Sequence, residues 1–303
     1  MSFRDIAIVF NPKGGSASAG PVNKLVSLLE ARGCKVEKLS TTPEPGSATK
    51  LARSAASGGA KLVIAFGGDG TICQVAEGLI GTDAAMAAYQ GGTGNLFART
   101  YNSKLSPELF VEMVLEGTPQ PVDMIKLDYV DIHGVAHDRL FMTCFGIGPL
   151  SDSILVSQNV KRIFGKLAYV FGVAKASFML KPIRCSLVTE DQGRERSMDA
   201  AIVAVANVLP PNMTLISRGC NASDGLMDTT YVTARNFLDL LPLAGWLPLG
   251  SPERSPHYGR LRTASLKIKT ETPVIPNIDG DASPATTELS LKVVPGAVQM
   301  VLI

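Results

Sequence analysis

The sequence predicts an α/β protein of two domains: a doubly wound, largely parallel α/β domain over residues 1–122, then a mainly antiparallel β domain over residues 123–303. Three observations favour this fold class. Apolar strand patterns alternate with helical patterns in the first half, and three of those strands run directly into a glycine-rich loop. Short strand patterns separated by turn signals dominate after Pro121. A chain of 303 residues is also longer than one average domain needs.

Composition excludes several classes of protein. The formal net charge of +2 indicates neither a nucleic-acid partner nor an acidic one. No uncharged apolar run reaches the roughly 18 residues of a membrane span, and the N-terminus enters a strand pattern without a signal-peptide core. The five cysteines are scattered and lack a CxxC pair, which is typical of reduced thiols in a cytoplasmic protein (Cys34, Cys73, Cys144, Cys185 and Cys220).

The central stretch of the first half is a strand, a glycine turn and a helix. Leu62 to Phe66 is an unbroken apolar run, Gly67 to Thr71 reads GGDGT, and Ile72 to Ile80 has helical periodicity. Glycine N–H groups can bind an anion, and a carboxylate among them, Asp69, indicates a nucleotide with its metal. The alternative interpretation is a tight turn with a capping Asp.

Two further strands end in similar loops. Ile6 to Phe10 runs into Asn11–Ser16, and Ala84 to Tyr89 runs into Gln90–Asn95. Because the carboxyl ends of parallel strands meet at one edge of a sheet, we expect the three loops to converge on a phosphate site. The remaining predicted elements of this half are helices over 18–32, 47–57 and 96–101 and a strand over 35–39.

The second half is predicted as strands with one long helical interruption. The basic, amphipathic stretch Ser151 to Leu180 is typical of a helix that lies on an anionic membrane or of one that packs on a sheet. The apolar segment Leu238 to Leu249, which carries the only tryptophan, Trp246, is open to two interpretations: a lipid-facing cleft or buried core. The strand patterns cover 124–130, 139–147, 185–189, 200–206, 229–233, 263–270, 287–294 and 298–303.

These motifs together resemble the diacylglycerol kinase catalytic family, which includes bacterial lipid kinases and sphingosine kinases. NPKGGS at Asn11–Ser16, GGDGT at Gly67–Thr71 and GGTGNLFAR at Gly91–Arg99 are similar to the family's three loops. Asn277–Asp281 is similar to its IDGE/D segment, and Asn221–Asp228 more weakly to its N-A-x-x-D-D-G-x-L-D loop. GGDGT alone would be less specific, since NAD kinases share it.

The resemblance implies a nucleotide-binding α/β domain, a β-sandwich domain and an active site in the cleft between them. It also implies transfer of the ATP γ-phosphate to a lipid hydroxyl with Mg²⁺, a reaction that needs positioning and charge neutralisation. Lys13 is otherwise interpreted as a solvated loop lysine. The residues implied for nucleotide and metal are Asn11, Lys13, Gly67, Gly68, Asp69, Gly70, Thr71, Gly92, Thr93, Asn95 and Asp281.

Asp279 is the predicted general base, in a carboxylate–metal network with Asp69. Its alternative role is that of a turn-forming Asp-Gly, and the choice of base among Asp279, Asp281 and Asp69 stays open.

A structural divalent ion at Asp224, with backbone oxygens such as that of Leu226, is a further implication of the resemblance, against the alternative of an Asp-Gly hairpin turn. Two departures from the family pattern bear on acceptor choice: Leu96 stands where an Asp is usual, and Cys144–Gly148 lacks the usual Asn or Ala.

We therefore predict a cytoplasmic lipid kinase at the inner face of the membrane, with a lipid substrate, transient membrane contact, no nucleic-acid partner, and homodimer formation left open. The helix around Lys161–Phe178 is the hypothesised membrane surface. The rivals are an NAD kinase, disfavoured because the chain has no Asn-Glu dipeptide, and an inactive nucleotide- or lipid-binding regulator, disfavoured by intact Asp69 and Asp279. A dehydrogenase is disfavoured because the first loop lacks GxGxxG.

Overall fold

The computed structural model describes residues 3–12, 19–92, 95–101, 105–149, 181–190, 192–210, 213 and 219–302. They belong to two compact units. The first consists of Met1–Met124 together with Pro295–Ile303, and the second consists of Ile125–Val294. The chain therefore passes from one unit to the other twice.

The first unit is built on four parallel strands in the order β2-β1-β3-β4. All six residues of β3 are buried, as its unbroken apolar run predicts, whereas β2 lies at an edge and is mostly exposed. The strands are β1 (Asp5–Phe10), β2 (Lys35–Ser40), β3 (Leu62–Gly67) and β4 (Ala85–Gln90). The helices are α1 (Ala19–Ala31), α2 (Ser47–Ser57), α3 (Asp69–Leu79), α4 (Leu96–Tyr101) and α5 (Pro107–Glu116).

Helix α5 is absent from the sequence prediction, although its signals are local. The hydroxyl of Ser106 accepts a hydrogen bond from the N–H of Leu109 at 3.2 Å, and Pro107 occupies the first turn. Phe110 and Val114 of this helix are buried in the same cluster as Leu25 of α1. The alternation of strands and helices that the sequence predicts is otherwise confirmed, with α5 added after α4.

The last residues of the chain complete the first unit. Met300 pairs with Met86 in parallel, and the N–H of Val301 donates to the carbonyl of Met86 at 2.8 Å. Val301 is buried, and its side chain lies so close to Gly117 that a Cβ on this glycine would be 2.4 Å from it. The end of the final strand thus pairs with β4 at the edge of the parallel sheet.

The second unit is mainly antiparallel, as predicted. Its long strands β8, β9, β12 and β15 are neighbours, β9 also pairs with β7 and β10, and β10 pairs with β11. A hairpin of β5 with β6 belongs to the same fold. The strands after β4 are β5 (Gln120–Val130), β6 (Ala136–Phe141), β7 (Cys144–Ile147), β8 (Ile183–Thr189), β9 (Arg194–Ala206), β10 (Met227–Thr233), β11 (Tyr258–Thr263), β12 (Ser265–Val274), β13 (Asn277–Ile278), β14 (Asp281–Ala282) and β15 (Thr286–Met300).

Two predicted strand boundaries are wrong. The single strand expected over 139–147 is divided into β6 and β7 at Met142 and Thr143, because the backbone of Thr143 bonds to other partners instead: its carbonyl accepts from Asn207 at 2.9 Å. The two strands expected at the C-terminus are one strand, β15, which continues through Pro295 and Gly296.

The core of the second unit is an aliphatic and aromatic cluster from the inward faces of these strands, including Phe141, Phe145, Leu187, Ile268 and Leu289. A 3₁₀ helix (Phe237–Leu240), helix α6 (Leu241–Trp246) and a 3₁₀ turn (Pro252–Arg254) lie between β10 and β11. None of the helices in the described ranges is long and apolar enough to cross a membrane.

Candidate active site

The glycine-rich loops leave the same edge of the parallel sheet. Phe10 is paired with Phe66, and Phe66 with Tyr89, so the loops that follow β1, β3 and β4 begin at one level. The strand order reverses between β1 and β3, which is where open α/β sheets bind ligands. Asn11 and Pro12 begin the first loop at this point; Lys13, with the rest of that loop through Ser18, lies outside the described residues.

The loops after β3 and β4 are in direct contact. The N–H of Gly91 donates to the carbonyl of Gly67 at 2.8 Å, and a Cβ added to Gly92 would lie 2.5 Å from the Cα of Gly68. Only glycine permits this approach. The two loops therefore present backbone without side chains where they meet, and a phosphate group can approach such a surface closely.

Asn95 folds the third loop back on itself. Its side-chain oxygen accepts from the N–H of Gly92 at 2.8 Å, and its amide donates to the carbonyl of Gly92 at 2.6 Å. The residue is buried and has a φ of 48°, in the left-handed region that Asn tolerates better than most residues. The side chain of Asn95 therefore fixes the shape of the loop by bonding to the backbone of Gly92. Thr93 and Gly94 lie outside the described residues.

Asp69 joins the second loop to the helix after the third. Its two carboxylate oxygens accept hydrogen bonds from the N–H groups of Leu96 at 3.0 Å and Phe97 at 2.9 Å, the first turn of α4. Asp69 is also the first residue of α3, whose N-cap is Gly68. The alternative interpretation of a capping Asp is thus correct in kind, but the helix that it caps is α4 rather than α3.

Burial raises the pKa of Asp69, while the N–H donors of Leu96 and Phe97 and the charge of Arg99 act in the opposite direction. A carboxylate that accepts one bond at each oxygen retains lone pairs, and Mg²⁺ in kinases uses one or two protein carboxylates together with phosphate oxygens and water. Asp69 fits that mode of binding. Among the described residues, no cluster of three or more His, Cys, Asp or Glu side chains is arranged as a metal site.

Gly70 and Thr71 begin α3, at the N-terminal end of a helix where backbone N–H groups favour an anion. The side chain of Thr71 covers Gly67 so closely that a Cβ there would lie 2.6 Å from the Cβ of Thr71. Gly67 in the second loop, like Gly92 in the third, is therefore a position where a side chain is sterically excluded.

Asp279 lies in the second unit, in the two-residue turn between β13 and β14. Asp279 has a φ of 52° and Gly280 a φ of 99°, the pair of positive values that a type I′ hairpin requires. The side-chain oxygen of Asn277 accepts from the N–H of Gly280 at 3.1 Å. Asp279 is accordingly a turn-forming residue, which was its alternative interpretation, and Asp281 follows it as an exposed residue of β14.

The carboxylate of Asp279 is held by the segment between β6 and β7. Its Oδ1 accepts from the N–H of Thr143 at 3.3 Å, from the N–H of Cys144 at 3.1 Å and from the hydroxyl of Thr143. The N–H of Asp279 in turn donates to the carbonyl of Cys144 at 2.9 Å. Donors of this kind favour the charged carboxylate and orient it.

Sequence reasoning did not find Thr143. It is 136 residues from Asp279 and belongs to no motif. The only local signal was a polar residue within an otherwise apolar strand pattern.

Comparison with known proteins finds a family match for each half of the chain. Residues 5–127 match the model of the diacylglycerol kinase catalytic domain, and residues 152–302 match that of the YegS C-terminal NAD kinase beta sandwich-like domain. Residues 5–127 therefore form a domain of the diacylglycerol kinase catalytic type. The resemblance seen in the motifs is therefore confirmed, and so are the α/β class and the C-terminal β sandwich.

Individual relatives are distant but extend over most of the chain. The protein named "Probable lipid kinase YegS-like" from Stenotrophomonas maltophilia is 26% identical over 295 residues, which covers 95% of this chain and 93% of the relative. The protein of the same name from Cronobacter sakazakii is 26% identical over 303 residues, covering 94% and 92%. A crystal structure of a diacylglycerol kinase from Bacillus anthracis has a TM-score of 0.75 at 23% identity, covering 100% of this chain and 98% of that chain, and shows the shared fold.

The structural metal that the family resemblance implies at Asp224 does not fit the residues around it. Oδ1 of Asp224 accepts from the N–H of Leu226 at 3.1 Å, and Oδ2 forms an ion pair with the guanidinium of Arg262. Arg262 also lies 3.3 Å from the buried carboxylate of Asp228, which pairs with Arg260 as well. An arginine thus supplies the positive charge at this position. The turn interpretation agrees with these contacts, since Asn221 and Asp224 each accept from the N–H two residues on.

Proposed function

We propose that this chain is an ATP- and Mg²⁺-dependent lipid kinase that transfers the γ-phosphate to a hydroxyl group of diacylglycerol or a related lipid. The observation that carries the proposal is the contact between the loops after β3 and β4, where Gly68 and Gly92 approach each other and Asp69 binds the start of α4. The relatives that extend over most of the chain are named lipid kinases, which supports the same acceptor class.

The glycine loops hold the nucleotide in this proposal. Backbone N–H groups at the start of α3 donate to phosphate oxygens, and Asn11 and Asp69 stand at the same sheet edge. Magnesium, when bound with the nucleotide, neutralises charge on the phosphates. The buried Asp69 has its pKa raised by that burial, so a cation beside it would favour the ionised form.

Asp279 is the proposed base. The lipid hydroxyl oxygen forms a bond to the γ-phosphorus as the bond to the β-phosphate oxygen breaks, ADP leaves, and the hydroxyl proton passes to Asp279 and then to solvent. In kinases such a carboxylate mainly orients the hydroxyl, and three donors from Thr143 and Cys144 fix one oxygen of Asp279 for that purpose. Asp281, exposed two residues later, is proposed as a nucleotide contact.

The acceptor is a membrane lipid, so we propose that the enzyme acts at the inner face of the membrane through transient contact. The basic helix hypothesised around Lys161–Phe178 lies outside the described residues. Leu96, in place of the usual Asp, gives its N–H to Asp69, so its backbone contributes to the site although its side chain is apolar.

The test is phosphate transfer from labelled ATP with magnesium to a panel of diacylglycerol, phosphatidylglycerol, a sphingoid base and NAD. We expect transfer to one of the lipids, and loss of transfer in Asp69→Ala without loss of the folded state by circular dichroism. Transfer to NAD instead would replace the proposal with an NAD kinase. ATP binding without any transfer would favour an inactive regulator.

A further inference from the structure

The segment between β10 and β11 has apolar residues on both of its faces. Leu240 and Leu243 point into the second unit and are 9% and 7% exposed. Leu238, Leu241 and Leu249 point outward and are 68%, 49% and 68% exposed. A surface helix normally places polar residues outward, so an outward apolar face indicates a binding surface. We call Leu238, Leu241 and Leu249 the leucine surface.

Asp239 is the one charged residue between Leu238 and Pro252, and its carboxylate accepts from the N–H of Arg235 at 2.8 Å. From Leu240 to Pro252 the chain contains no Asp, Glu, Lys or Arg, and the residues exposed between the leucines are Pro242, Ala244, Gly245 and Pro248. The sequence left this stretch open between a lipid-facing cleft and buried core. The structure resolves the question by position: the inward leucines are core, and the leucine surface faces solvent.

Several N–H groups of the segment are bonded within it. The side chain of Asn236 accepts from the N–H groups of Leu238 at 2.9 Å and Asp239 at 3.4 Å. Further along, the N–H of Leu247 donates to the carbonyl of Leu243 at 2.9 Å. Pro242 and Pro248 have no N–H to satisfy. These internal bonds reduce the number of N–H groups that would lose water when the segment approaches a lipid layer.

The aromatic and basic residues beside the leucines fit a lipid–water interface. The guanidinium of Arg254 lies 5.0 Å from the ring centre of Trp246, and Arg235 flanks the segment on its N-terminal side with a largely exposed side chain. Trp and Arg side chains prefer the headgroup level, where an apolar body meets a polar, often anionic, boundary.

The size of the surface favours a membrane over a protein partner. Three leucine side chains with the small residues between them present on the order of a few hundred Å². A stable dimer buries about 800 Å² on each partner. A lipid layer needs no matching surface, and a few inserted apolar side chains are enough for reversible binding.

We infer that the leucine surface docks this protein on an anionic phospholipid membrane, with the leucines inserted at the acyl boundary and Arg254 at the headgroups. This rests on the proposed function, since a membrane acceptor requires such contact. The inference places the membrane contact at the leucine surface, outside the helix around Lys161–Phe178 that the sequence indicates.

The test measures binding to vesicles of phosphatidylcholine with phosphatidylglycerol, without nucleotide or acceptor, so that it does not depend on kinase activity. The variant is Leu238→Ser/Leu241→Ser/Leu249→Ser. The matched control is Val130→Ser/Ile132→Ser/Val135→Ser, which removes three exposed aliphatic side chains (56%, 54% and 53% exposed) from the hairpin of β5 and β6 in the same unit. Thermal unfolding confirms that both variants are folded.

We expect the leucine variant to lose vesicle affinity by about tenfold or more, and the control to remain within about twofold of wild type. Trp246 is the only tryptophan, so its emission reports the docking directly and should shift to shorter wavelength on vesicles in the wild type and the control, but not in the leucine variant. Equal vesicle affinity of leucine variant and wild type, or unshifted Trp246 emission, would overturn the inference. So would a wild-type dimer that the leucine variant converts to a monomer, since a second copy would then cover the surface.

The experiments distinguish a failure of the proposed kinase function from a failure of the proposed docking surface. Vesicle binding through the leucine surface without phosphate transfer to any lipid would overturn the proposed function alone. Transfer to a detergent-dispersed lipid, with vesicle binding unaffected in the leucine variant, would overturn the docking surface alone.

Discussion

At the scale of single residues, the structure assigns orientation of Asp279 to a residue that no motif contains. Thr143 donates to the Asp279 carboxylate through both its N–H and its hydroxyl, and it is almost fully buried. The division of β6 from β7 at this residue frees its backbone for these contacts. Thr143 is therefore a positioning residue that acts through Asp279.

Replacing the Thr143 hydroxyl should lower the transfer rate without affecting ATP binding. A hydrogen bond to a charged group contributes about 1.5–3 kcal/mol, so Thr143→Val should reduce kcat by about tenfold or more. Thr143→Ser, which keeps the hydroxyl, should restore most of the activity. An unchanged kcat with a lower Tm in Thr143→Val would mean that Thr143 acts only on stability.

The ion pairs of Arg262 lead to a separate prediction about how removal of metal ions affects stability. Because its guanidinium pairs with Asp224 and lies beside Asp228, the second unit should need no divalent cation for stability. Chelation by EDTA should leave the Tm unchanged, and Arg262→Gln should lower it by leaving the buried Asp228 with less compensation. Arg184→Gln, which removes an exposed ion pair with Asp199 in the same unit, is the matched control and should have a small effect. A Tm that falls in EDTA and recovers with Mg²⁺, in wild type but not in Asp224→Asn, would contradict this assignment.

At the scale of elements, the hairpin of β5 and β6 contains a group whose ionisation stabilises the fold. His137 lies 2.9 Å from Asp131, and the N–H groups of Val135 and His133 bond to the same carboxylate. His137 first and these N–H donors next lower the pKa of Asp131 from 3.8 to about 2.

Because the pKa of Asp131 is lower in the folded state than in the unfolded state, the ionised carboxylate stabilises the fold. The stabilisation by Asp131 is fully present above the unfolded pKa of about 4 and is lost as pH falls towards about 2. Urea unfolding should therefore find wild type more stable than Asp131→Asn near neutral pH, with a difference that shrinks below about pH 4. A difference that is constant between about pH 6 and pH 2 would show that ionisation of Asp131 has no part in it.

The contact between the loops after β3 and β4 leads to a direct prediction about nucleotide binding. A Cβ at Gly92 would lie 2.5 Å from the Cα of Gly68, so Gly92→Ala must separate the loops. Calorimetry should find ATP affinity reduced by about tenfold or more. Gly20→Ala in α1, where a Cβ meets nothing within 4 Å, is the control and should bind ATP as wild type does. Equal affinities in the two variants would mean that contact between the loops is not needed for the nucleotide.

At the scale of the whole molecule, the parts that the sequence predicts well are those with local causes. Apolar runs give buried strands such as β3, and glycines mark the loops at the sheet edge, so the element order and the contact between the second and third loops are predictable. The pairing of the C-terminal strand with β4 is not predictable in this way. Met300 and Met86 are more than two hundred residues apart in sequence, and only tertiary packing brings them together.

The candidate site divides in the same way. Asp69 and Asp279 are recognisable in their motifs, whereas their partners are set by tertiary contacts. The N–H groups of Leu96 and Phe97 are backbone donors that no side-chain pattern reveals. Arg262 reaches Asp224 across 38 residues of sequence, because β10 and β11 pair and bring the two together. A motif thus locates a carboxylate, but only the fold determines whether its partner is a metal, an arginine or a helix.

The proposed lipid kinase activity is best tested by the rate of phosphate transfer from ATP to diacylglycerol and to the other lipid hydroxyls in wild type and Asp279→Asn, with ATP affinity measured in parallel. We expect transfer to a lipid in wild type, a loss of at least about a hundredfold in kcat in Asp279→Asn, and little change in ATP affinity, because in the proposed mechanism Asp279 acts on the acceptor hydroxyl. Full activity in Asp279→Asn, or transfer to NAD with none to any lipid, would contradict it.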